Sequence, residues 1–131
     1  MTSKNMVPVI ISMCLLITAC SNPYCPESKV RDSMQEIGLM ITRFDTYQNT
    51  NFDINQMQII RNELLSLNVP VCLSKTKNYT VTAMDYMIQG TRGFINNESG
   101  WMNHINDGLN MITTAENEMA RVYACMPDCK P

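Results

Sequence analysis

From Val30 onward the apolar residues Val30, Met34, Ile37, Ile41 and Phe44 recur at alternating spacings of four and three, which places them on one stripe of a helix. The pattern predicts a first helix from about Pro26 to Tyr47. Pro26 suits its first turn, where a missing N–H has no intrahelical partner to lose, and Glu27 complements the positive helix end. After the polar segment Gln48 to Asn51, Asp53 reads as the cap of a second helix. Gln56 would return the hydrogen bond to it, and Phe52 would pack on Met57 as a staple. Ile54, Met57, Ile60, Leu64 and Leu67 form the inward stripe of this helix. It must stop near Asn68, because Pro70 lacks a donor and disfavours helical geometry at Val69.

A third helix is expected to begin between Val71 and Ser74 and to run to about Ile95, with Val81, Met84, Ile88 and Ile95 inward. Thr76, Thr80, Val81 and Thr82 favour β-structure, so the first half also reads as a strand, but the later spacing and the lack of a partner-strand signal favour a helix. Asn96 to Gly100 is a turn. The fourth helix, from Trp101 to about Ala124, has the most regular pattern: Trp101, Ile105, Gly108, Ile112, Ala115, Met119 and Val122 follow spacings of four and three throughout. Four such stripes joined by short turns predict an all-α fold, an antiparallel up-down-up-down four-helix bundle. In that topology Cys25, Cys72, Cys125 and Cys129 all fall at one end. The turns carrying Phe52 and Trp101 lie at the other, ~33 Å away for a helix of about 22 residues.

The segment before the bundle has a different character. Lys4 precedes an apolar run from Met6 to Ile17, which leads into Thr18, Ala19 and Cys20. A basic start, a short hydrophobic run and small residues before a cleavage point make an export signal, too short to span a bilayer as a mature helix. Its ending in a cysteine resembles the lipobox of bacterial lipoproteins. The resemblance implies that residues 1–19 are removed and that Cys20 is acylated and becomes the lipid anchor. A single helical domain, residues 20–131, would then be tethered to the surface of the cell envelope. By the same resemblance Ser21, rather than Asp, would favour the outer membrane in a Gram-negative cell. The remainder of the chain is similar to small helical lipoproteins of unassigned role, which implies no activity.

The chain has six cysteines. Cys14 would leave with the signal, and Cys20 would carry lipid. Cys25, Cys72, Cys125 and Cys129 would remain, an even set that an oxidising compartment can pair. Three pairings are possible. Cys25 with Cys72 and Cys125 with Cys129 are favoured, the first closing the hairpin of the first two helices and the second making a small ring around Pro127 that ends the fourth helix. Crossed pairings would instead tie the fourth helix to that hairpin. A four-cysteine metal site is the sharper alternative, but export favours oxidation and Cys-x-x-x-Cys is looser than the usual zinc spacing.

Composition narrows the function further. The net charge is −2 with no basic block, which argues against a nucleic-acid partner. Twelve methionines and the Met102-Asn103-His104 grouping raise the question of copper. Met34, Met57, Met84 and Met119, however, fall on the core stripes, where a flexible thioether fills gaps. Residues 102 and 104 also project in different directions from a helix. Asp32 with Glu36 and Glu116 with Glu118 lack the histidine partners of a di-iron bundle, and no nucleophile motif or phosphate loop occurs. No catalytic residue, metal or cofactor is expected. Phe52 and Trp101, at the membrane-distal turns, are candidates for partner contact, although both also fit as caps over the bundle end. The expectation is a membrane-anchored, non-enzymatic interaction or structural module. The alternative is an extracytoplasmic metal or small-ligand carrier.

Overall fold

Val30 N–H donates to the Pro26 carbonyl at 3.1 Å, closing the first turn of α1, Glu27–Thr50. This is the first element of a computed structural model that describes residues 26–128, with side chains through Ala124. Pro26 itself is extended and sits at the cap position rather than inside the helix. The helix runs three residues beyond Tyr47. Its polar tail is held by local hydrogen bonds, Thr46 Oγ1 to the Thr42 carbonyl and Asn49 Nδ2 to Asp45 Oδ1, and by Gln48 Nε2, which reaches Thr91 on the third helix.

Asp53 caps α2, Ile54–Ser66, with its Oδ1 accepting from the Gln56 N–H at 3.1 Å. The reciprocal half of the expected capping box is replaced, because the Asp53 N–H is already committed to the Tyr47 carbonyl at 3.2 Å. At the other end of α2, the carbonyls of Leu65 and Leu67 accept from Lys77 Nζ at 3.2 and 3.1 Å. A cation there complements the negative helix end. Pro70 then leads into a single 3-10 turn, Val71–Leu73, that continues directly into α3, Ser74–Ile95. The chain turns through Asn97 and Gly100, both at positive φ, into α4, Trp101–Asp128.

All four helices are present and pack with up-down contacts between successive elements. The central helix is α3, which is buried on two sides. Val81, Met84 and Ile88 join Ile37, Phe44, Met57, Ile60 and Leu64 in the main core between α1, α2 and α3. A second stripe, Thr76, Thr80, Ala83, Met87 and Gly90, is also buried and follows the same spacings of four and three. This second face meets α4 at close range. A Cβ built on Gly108 would lie 2.7 Å from Met87 Cγ and 3.2 Å from the Ala83 carbonyl oxygen, and one on Gly90 would lie 2.6 Å from Ile105 Cδ1. Small residues on both helices let the backbones approach. Ile95, expected inward, is 48% exposed at the last residue of α3, while Gly93 in the same turn is the residue buried against Trp101 of α4.

The expected end of the bundle is assembled as the topology requires. Val30 of α1, Leu73 of the 3-10 turn and Val122 of α4 form a small core of their own, with Met34, Val69 and Cys72 packed around it. Arg31 adds a polar tie between α1 and α4 by donating from Nη1 to Tyr123 Oη at 2.7 Å, with its guanidinium 5.0 Å from the Tyr123 ring centre. Away from this end the ring of helices is open. α1 packs on α2 and reaches α3, but it lacks the close backbone contact with α4 that a closed bundle would have. Met34 and Ile41, predicted core residues of α1, are accordingly only half-buried.

Candidate functional site

The two residues proposed for partner contact, Phe52 and Trp101, belong to different turns, and the structure joins them through a third aromatic. Phe94, in the last turn of α3, stacks on Phe52 at 5.3 Å between ring centres and on Trp101 edge-on at 5.0 Å. Such pairs prefer tilted and edge-to-face arrangements because the ring face is negative and the ring edge positive. The result is a continuous aromatic cap at the end of the bundle opposite Cys72. Phe52 is 45% exposed and Phe94 43%, while Trp101 is half-buried.

Local backbone chemistry positions each ring. Phe52 has φ 49, a left-handed conformation rarely adopted by a residue with a bulky side chain. It is held there by hydrogen bonds on both sides, Asp53 N–H to the Tyr47 carbonyl and Ile54 N–H to the Phe52 carbonyl at 3.1 Å. Strain of this kind costs of order 1–3 kcal/mol and persists where the surroundings over-determine it. At the end of the bundle the ring meets Phe94. Trp101 opens α4 and is admitted by Gly93, where a Cβ would lie 3.0 Å from Trp101 Cβ. The sequence reading overlooked Phe94. Its signal was position, since it stands two residues before the Asn-rich turn at the same end of the bundle as the Phe52 turn.

At the opposite end, Cys72 is half-buried against the Val30, Leu73 and Val122 cluster and is disulfide-bonded. The other members of the proposed cysteine set, Cys25 and Cys129, lie outside the described residues, as does Cys20, the proposed lipid anchor. Cys125 falls within the helical span of α4, its side chain beyond those described. The expected end of α4 at Ala124 is exceeded, with the helix running through Pro127 to Asp128.

Several titratable groups are engaged in surface pairs. Arg61 donates from Nε and Nη2 to both oxygens of Asp85, at 2.8 and 3.0 Å, which joins α2 to α3 and raises the guanidinium pKa through that hydrogen bonding. Arg121 donates to Glu118 and holds its carboxyl below the usual range. Met102 and His104 are both exposed. Among the described residues, no group of three or more His, Cys, Asp or Glu side chains converges as a metal site would require, and no helix is long and apolar enough to cross a membrane. Comparison of the chain with protein families, curated proteins and solved structures finds no match.

Proposed function

We propose that this protein is an exported lipoprotein, acylated at Cys20, whose helical body acts as a non-enzymatic interaction module at the surface of the cell envelope. The observation that carries the reading is the ending Thr18-Ala19-Cys20 of the apolar run, six residues before Pro26 enters the bundle. Two acyl chains suffice for stable attachment to a bilayer, so the domain would be held at the surface without a spanning helix. The entry end of α1 would then face the membrane. A helix of 24 residues puts the aromatic cap about 36 Å further out. Exposed aromatics in a contiguous patch are the side chains that most often anchor protein partners. The disulfide of Cys72 fits an oxidising compartment, with Cys25 as the proposed partner and the α1–α2 hairpin closed between them.

Membrane fractionation tests the tether. Cys20→Ser should release the protein from membranes while leaving its helical circular dichroism unchanged, and persistence in the membrane fraction would count against acylation at that position. The cap is tested separately by Phe94→Ala. That substitution separates Phe52 from Trp101 and should abolish partner capture on the native membrane without changing fractionation.

A further inference from the structure

The open seam between α1 and α4 is apolar along its floor and acidic along its rim. On α1 the residues Met34, Gly38, Ile41 and Asp45 fall at spacings of four, three and four, and so line one side. On α4 the facing residues are Leu109, Ile112, Glu116 and Met119. Two depressions lie along this seam, about 380 Å³ beside Met34 and Met119 and about 230 Å³ beside Ile41 and Ile112. Between them on α1 stands Gly38, where a Cβ would meet nothing within 4 Å. The helix backbone is thus bare at the middle of the seam. Leu109 is 53% exposed at its far end.

From this arrangement we infer that the α1–α4 seam is a docking groove for an amphipathic helix with a basic rim, supplied by a protein partner. Three features select that occupant. Methionines lining a groove adapt to varied helical faces. A bare glycine midway lets an incoming helix approach closely, as Gly108 does for α3 within this fold. The third feature is charge: Asp45 and Glu116 flank the groove, and neither has an ion-pair partner among the described residues, although Asp45 accepts a hydrogen bond from Asn49. Arg31, at the base of the seam, is committed to Glu27 and Tyr123. Lysines or arginines beside an apolar stripe on the partner would complement the rim. From Met34 to Gln48 the seam accepts a helix of about fourteen residues, ~21 Å long. This inference does not depend on the acyl anchor.

The probe is a synthetic helix of about fourteen residues carrying a leucine stripe flanked by lysines, tested against its glutamate-flanked counterpart and a fluorescent acyl chain. The purified protein is used as the cell processes it, in lipid nanodiscs where it carries lipid. The methyl resonances of Met34, Met87 and Met119 should shift on addition of the lysine peptide. Gly38→Leu, which fills the midpoint, should weaken binding at least tenfold, and so should Leu109→Lys, a change at an exposed side chain. Combining Asp45→Lys with Glu116→Lys should transfer the preference to the glutamate peptide. Several results would overturn the inference: equal binding of the two peptides, wild-type affinity in both Gly38→Leu and Leu109→Lys, occupancy by the acyl probe alone, or a homodimer through this seam that excludes the peptide.

Discussion

One substitution, made at two glycines, should change stability in opposite directions. Both glycines lie inside helices, so replacing either by Ala recovers the helix-propensity deficit of Gly, about 0.8–1 kcal/mol. At Gly38 nothing lies within 4 Å of the new methyl, and the gain should appear in full. At Gly108 the methyl would sit 2.7 Å from Met87 Cγ and 3.2 Å from the Ala83 carbonyl oxygen. Carbon atoms pack at ~3.5–4.0 Å, so Met87 must leave its rotamer and the α3 backbone must recede. Overpacking of this kind costs typically ~1–3 kcal/mol. Subtracting the propensity gain leaves Gly108→Ala less stable than the wild type by roughly 1 kcal/mol, and the two variants separated by about 2 kcal/mol. Urea unfolding followed by far-UV circular dichroism measures the difference directly as a shift in midpoint at unchanged slope. Equal stabilisation by both substitutions would refute the close approach of α3 and α4, and with it the reason for the small residues at their contact.

Other consequences of the structure can be measured in the same way. The Thr76 hydroxyl is buried without a hydrogen-bond partner among the described residues, so Thr76→Val should raise stability by about 1 kcal/mol, and a loss would reveal a bridging group there. Lys77→Met removes the donor to the Leu65 and Leu67 carbonyls and should cost about 1 kcal/mol in thermal unfolding, whereas Lys77→Arg should retain most of it. Because Arg121 holds the Glu118 carboxyl below its ordinary value, their pairing favours the fold above the normal glutamate range and is lost as pH falls through the lowered value. Glu118→Gln should therefore make the acid limb of the stability curve shallower, and parallel curves would show that the pair contributes nothing.

The helices were legible because their stripes are made of strongly apolar residues. Val30 to Phe44 and Trp101 to Val122 announce one buried face each, and Pro70 and Gly100 mark the breaks. What escaped the pattern was the second face of α3. Its residues are Thr76, Thr80, Ala83 and Gly90, chosen for size rather than hydrophobicity, and threonine there read as a hint of strand. Burial at a tight helix crossing selects small volume, a signal that apolar periodicity does not register. The aromatic cap was half visible for a related reason. Phe52 and Trp101 stood out at their turns, but the ring that unites them depends on the left-handed backbone at Phe52, a tertiary choice stabilised by Tyr47 and Asp53.

Because α1 is secured along one flank and at its base but not to α4 above, the molecule resembles a book bound along α3, with α1 as its outer cover. Local opening should therefore begin there. Amide protons midway along α1 would exchange with solvent at a lower free energy than those of α3, whose two covered faces require the whole body to come apart. Val30, Leu73 and Val122 are the clasp that keeps the cover shut at its base.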